Sequence, residues 1–253
     1  MDAIKERLHQ RAVDGDVRAG KKTAIIVGVL YIVGTVAGIL SLVFTGPVRN
    51  AQDLLIGVPA SEARLVVGAL FVLTMGLALA MVPVVMFPIL RRHNEALALG
   101  YVVFRGGLEA VAYLAIATSW LLLVPLSQVY VQAGASDASN FQALGTLLLE
   151  AREIGSIQAI VFCLGALIFY YLLYQTKLVP RWLSGWGLIA IVPYLAAGLL
   201  AMLGIISALS PIYAVLDLPL ALQEMVLAVW LIVKGFNSSA SVFGAAKTEP
   251  NAV

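Results

Sequence analysis

Four charged residues lie inside apolar stretches where charge is scarce: Arg105 and Glu109 in one run, Asp217 and Glu224 in another. A carboxyl group shielded from bulk water can hold and release a proton or ligate a cation, and a guanidinium beside it supplies a fixed positive charge. Arg105 and Glu109 are spaced i, i+4, and Asp217 and Glu224 lie two helical turns apart, so on helices each pair shares a face. Three carboxylates against one arginine leave an excess of negative charge if all ionise. Protons, a bound cationic ligand or water reaching Asp217 must make up the difference. Helix-to-helix bridging by Arg105 alone needs only one carboxylate, so the surplus acid favours a binding pocket.

The elements that must position these residues are six apolar runs, 23–44, 65–90, 97–125, 154–174, 182–209 and 212–233. A hydrocarbon core of about 30 Å takes roughly 20 apolar residues to cross as a helix, and each run is long enough. The composition, 61% hydrophobic and 12% charged, agrees, because soluble domains carry about 25% charged residues. The expected fold is all-α, a polytopic six-helix transmembrane bundle between a cytoplasmic segment 1–22 and a flexible tail 237–253. The polar length of residues 1–22 is unlike a secretory leader, so the first run is expected to stay as a span, with the segment before it either interfacial or disordered. Pro83 and Pro88 in the second run predict a bend.

Lysine and arginine near the run ends set the expected orientation. Lys5, Arg7, Arg11, Arg18, Lys21, Lys22, Arg91, Arg92, Lys177, Arg181, Lys234 and Lys247 fall on one side, against Arg49, Arg64 and Arg152 on the other. The positive-inside rule then puts both termini in the cytoplasm, in the inner (cytoplasmic) membrane. On the outer side two loops are expected, 45–64 and 126–153, the second with a mobile stretch at 133–140. At 1.5 Å per residue, Glu109 and Glu224 both lie about 18 Å into the bilayer and Asp217 about 7 Å from the outer surface. If the third and sixth spans meet, the acids form one chamber at mid-membrane depth.

Several classes are excluded by what the sequence lacks. A net charge of +2, with the basic residues dispersed at run ends, gives no nucleic-acid surface. The single Cys163 forms no disulfide framework, and His9 and His93 are too isolated for a metal site, so neither a metal nor a cofactor is expected. Ser184 has no nucleophile elbow around it and no membrane histidine as base. Lys177 and Arg181, in a turn between two runs, suit an interfacial anchor or a contact with headgroup phosphate.

The stretches GVLYIVGTVAGILSLVF at 28–44, FPILRRHNEALALGYVVFRGGLE at 87–109, KLVPRWLSGWG at 177–187 and PLALQEMVLAVWLIVKGF at 219–236 together resemble a bacterial family of uncharacterised six-helix integral membrane proteins. The resemblance covers almost the whole chain. It implies the fold, the cytoplasmic membrane and signature positions at Arg105, Glu109, Arg181, Gly185 and Glu224, and it brings no activity.

Three readings of function follow. In the first, Arg105, Glu109, Asp217 and Glu224 bind or move a small amphiphilic or cationic molecule, and so small a bundle would act as a homo-oligomer. In the second, Glu109, Glu224 and Asp217 are catalytic acids acting on a lipid-like, isoprenoid substrate. In the third the polar residues only fix helix packing, and the lipid bilayer is the principal partner.

Overall fold

The computed structural model describes residues 2–49, 53–133, 138–150, 152–208, 210–238, 240 and 242, and no strand occurs among them. The helices are α1 (Asp2–Arg49), α2 (Leu54–Leu90), α3 (Glu95–Tyr101), α4 (Glu109–Leu121), α5 (Leu123–Ala133), α6 (Ala138–Glu150), α7 (Arg152–Thr176), α8 (Arg181–Met202) and α9 (Pro211–Val233), with a π-helical segment, Val102–Leu108, joining α3 to α4. Six stretches are long and apolar enough to cross a membrane: Arg18–Val48, Leu54–Leu90, Glu95–Gln132, Ser139–Thr176, Arg181–Met202 and Pro211–Val233. The chain is a six-span helical membrane protein.

Local chemistry fixes the helix ends. Asp53 caps α2 by accepting from the Leu55 and Ile56 N–H groups, and Asn94 caps α3 through the Leu97 N–H. Ser210 caps α9 by accepting from the Tyr213 N–H, with Pro211 in the first helical position, where its missing donor costs nothing. Gly204, at φ 71°, ends α8 in a left-handed turn, so the fifth span stops at Met202 instead of continuing to 209.

Two further expectations change. The supposed outer loops at 45–64 and 126–153 are largely helical, because α1 reaches Arg49, α2 begins at Leu54, and α5 and α6 occupy most of the second stretch. With 37 residues, α2 is about 55 Å long and must project well beyond the hydrocarbon core. Outside the bilayer a helix needs one buried face and not a continuous apolar run. Those faces exist here, since α2 packs on α1, α5 and α6, and α5 packs on α6. Asp53 Oδ2 ties the group together by accepting from Tyr130 Oη at 3.0 Å and Gln142 Nε2 at 2.8 Å, and Trp120 Nε1 donates to the Leu149 carbonyl at 3.0 Å. At the other end, the polar segment before the first span is helical and continuous with it. Pro83 and Pro88 lie within α2, which stays helical through both. The centre of the stretch expected to be mobile, 134–137, and most of the expected tail, 243–253, fall outside the described residues.

The spans form a ring in chain order. α1 packs on α2, α2 on the π segment and α4, these on α7, α7 on α8, α8 on α9, and α9 closes against α1. Lipid tails are as apolar as the helices, so close contact between backbones, not hydrophobic burial, must hold such a ring together. Gly28 provides it at the closure: a Cβ there would lie 2.6 Å from the Ala228 carbonyl oxygen. Large apolar side chains such as Ile39, Leu77, Val111, Ile189 and Val229 point outward. The middle of the ring is left for long and polar side chains.

Gly28→Leu is expected to lower stability by about 1–3 kcal/mol through overpacking at the α1–α9 contact. Gly15→Ala, where a Cβ meets nothing within 4 Å, is expected not to disturb that contact. Thermal unfolding of the detergent-purified variants measures both.

Candidate functional site

The π segment is where the chain departs from regular helix, and Arg105 sits in it. The N–H of Glu109 bonds to the Phe104 carbonyl, five residues back, so one extra residue is accommodated in the turn. Two glycines, Gly106 and Gly107, follow Arg105 and lower the side-chain crowding of that widened turn. On the facing helix, Gly165 of α7 leaves room for the Arg105 backbone, since a Cβ there would lie 3.2 Å from the Arg105 nitrogen. The third span thereby approaches α7 closely and directs Arg105 into the ring, where the residue is 1% exposed.

There the guanidinium is shared. Nη1 donates to both oxygens of Glu109 at 3.1 Å, and Nη2 reaches Oε1 of Glu224 on α9 at 3.0 Å. The Phe162 ring lies against the guanidinium, 4.0 Å from its central carbon. Glu109 is held further by Tyr113 Oη at 3.1 Å and Gln158 Nε2 at 3.3 Å, and Gln158 also donates to Tyr113 Oη. Each buried charge thus has a partner, as burial at this depth requires.

A second polar layer lies toward the basic end of the bundle. Tyr170 Oη donates to Gln223 Oε1 at 2.6 Å, and Gln223 Nε2 donates to the Leu183 carbonyl at 3.1 Å. Tyr31 and Tyr101 stand beside Arg105, and the Tyr101 ring stacks on Phe169 at 4.7 Å. All of these side chains are nearly or fully buried, so this layer closes the ring below the arginine.

Above it the ring is hollow. A cavity of about 150 Å³ is bounded by Asp217 and Glu224 of α9, Tyr113, Gln158, Tyr194 and Thr35. Glu224 joins the two regions: Oε1 takes the arginine, while the side chain keeps 16% exposure toward the cavity. Asp217 lines the same cavity two turns away, and among the described residues no basic group pairs with it. The four charged residues are therefore brought together in two sets, an arginine with two glutamates and a separate aspartate facing the second of those glutamates. The third and sixth spans meet through the Arg105–Glu224 ion pair, while the main packing partners of α9 are α1 and α8.

The model of a domain of unknown function, DUF4386, matches residues 26–235. The chain belongs to this family. No curated protein and no solved structure matches the chain. The DUF4386 match takes in the first span from residue 26, the other five spans whole, and every residue of the arginine cluster and the cavity.

Within this DUF4386 domain, several site residues are uncharged and were passed over in the sequence: Tyr113, Gln158, Tyr194 and Gln223. The signal for Tyr113 is its spacing, one turn beyond Glu109 on the face that starts at Arg105. For Gln158 and Gln223 it is an amide in an otherwise apolar run. Among the described residues no group of three or more His, Cys, Asp or Glu side chains could hold a metal ion.

Arg105→Met leaves two carboxylates facing each other without their cation and is expected to cost about 3–5 kcal/mol of stability. Adding Glu109→Gln should recover part of that loss, giving a coupling of about 1–3 kcal/mol in a double-mutant cycle. Additive losses in reversible unfolding of the four proteins would contradict a shared charge network.

Proposed function

We propose that the protein binds a small monovalent cation, the proton included, between Asp217 and Glu224, as the loading site of a membrane transporter. The observation that carries this reading is the cavity that holds those two carboxylates, where Tyr113, Tyr194, Thr35 and Gln158 supply further polar groups and Met75, Leu79, Phe162 and Leu220 supply apolar wall. Two carboxylates beside hydroxyl and amide groups in a partly apolar hollow suit a hard cation or a protonated water cluster. Its volume of about 150 Å³ suits a few waters or one partly hydrated ion, and is small for an amphiphile or an isoprenoid. Size therefore favours the cationic reading over catalysis on a lipid-like substrate by Glu109, Glu224 and Asp217.

In this reading Glu109 keeps Arg105 neutralised while Glu224 exchanges between the guanidinium and the cation. The buried layer of Tyr31, Tyr101, Tyr170 and Gln223 blocks passage toward the basic end, so loading takes place from the side of Asp217. The basic end, carrying Arg91, Arg92, Lys177, Arg181 and Lys234, faces the cytoplasm, and the cation enters from outside the cytoplasmic membrane.

Glu224→Gln is expected to abolish, and Asp217→Asn to reduce at least about tenfold, the uptake of sodium ion or the proton flux driven by a membrane potential in proteoliposomes. Flux unchanged in both variants removes the proposal. A reporter fused after Val253 is expected to be active only on the cytoplasmic side, and activity outside would invert the direction of loading.

A further inference from the structure

At the basic end the loop between α7 and α8 meets the end of α9 beside an open surface hollow of about 620 Å³. Lys177, Arg181 and Lys234 line it together with Asn237, and no carboxylate is among its lining residues. The loop is fastened by the Asn237 N–H to the Leu178 carbonyl at 2.8 Å. Arg181 also lies over the Tyr174 ring, 5.1 Å from its centre. Among the described residues none of the three cations makes an ion pair with an acid. Three exposed cations gathered around one open hollow, with no acid among its lining residues, are complementary to an anion supplied from outside the protein.

Lys177 carries a second sign. Its φ of 56° is the one left-handed non-glycine backbone among the described residues, whereas glycine takes that conformation at Gly204 and Gly235. Glycine would fit the end of α7 without strain, so a lysine held there points to a use for its charge.

The hollow continues into a groove of about 430 Å³ along the outer face of α9, formed by Leu222, Met225, Val226, Val229 and Val233 and nearly devoid of polar surface. Trp230 and Lys234 belong to both. Trp182 packs edge-on against Trp230, with ring centres 6.3 Å apart, marking the headgroup level where tryptophan concentrates. A cluster of cations continuous with the shallow apolar outer face of a spanning helix has the two-part chemistry of one molecule.

We propose that this is a site for an anionic diacyl phospholipid, its phosphate held by Lys177, Arg181 and Lys234 and an acyl chain lying along α9 beside Met225 and Val229. A soluble phosphate compound would use the hollow and leave the groove to bulk lipid. The site is separate from the acid cavity, and its test does not depend on transport.

The full-length protein is reconstituted in phosphatidylcholine vesicles containing either brominated phosphatidylglycerol or brominated phosphatidylcholine, and quenching of tryptophan emission, to which Trp182 and Trp230 contribute, is followed against mole fraction. The wild type is expected to prefer phosphatidylglycerol about fivefold or more. In the triple variant Lys177→Gly, Arg181→Gln, Lys234→Gln the preference should fall to about one. Arg91→Gln should keep it. Should the triple variant fail to fold, Lys177→Gly alone, which relaxes its own backbone, is expected to reduce the preference at least about twofold. Equal quenching by the two lipids in the wild type, an undiminished preference in the variant that folds, or its loss in Arg91→Gln overturns the proposal. Abolition of the preference by millimolar inorganic phosphate overturns it in favour of a soluble phosphate.

Discussion

One guanidinium, that of Arg105, is buried inside the ring of spans and must be neutralised there by other side chains. Six helices close into a ring in chain order. Arg105 reaches into that ring from the third span and meets Glu224 of the sixth, whose main packing partners are α1 and α8. Removing a charge from water costs several kcal/mol per ion, so this contact stabilises the ring only because the geometry is close and the remaining oxygen and nitrogen atoms find partners in Tyr113 and Gln158. The cluster thereby sets the register of spans that have little else to specify it in a solvent as apolar as their own side chains.

Local backbone chemistry serves that requirement. The π turn adds a residue where Arg105 must point inward, Gly165 admits the turn against α7, and Gly28 brings α9 close enough to α1 to close the ring. Gly165 and Gly28 carry no charge and form no motif. Each matters through the space it leaves for a neighbour.

The six spans were legible in the length of the apolar runs, and Arg105, Glu109 and Glu224 stood out because ionisable groups in apolar runs are costly and therefore conspicuous, but their contact was legible only on the condition that the third and sixth spans meet. What was not legible depends on three-dimensional neighbours. The helices of α5 and α6 lie where the apolar pattern breaks, since a helix packed on another helix outside the bilayer needs a single apolar face. The end of α8 at Met202 was signalled by Gly204, but an apolar tail after that glycine hid the stop. The π turn has no compositional signature beyond Gly106 and Gly107, and Tyr113 and Gln158 join the site only because α4 and α7 are adjacent in the ring.

The unequal sharing of Arg105 decides which acid is structural and which is available. Glu109 uses both oxygens on Nη1, is fixed by two further donors, and is fully buried. That pair is already neutral. Glu224 adds a second negative charge through one oxygen only and keeps an exposed edge toward the cavity that Asp217 shares. If packing were the sole purpose, an amide at 224 would give Arg105 an acceptor without an extra buried charge, and an apolar residue at 217 would insert at lower cost. Two acids facing one small hollow, beside a pair that needs neither of them for its own balance, are the arrangement on which the proposed cation site rests.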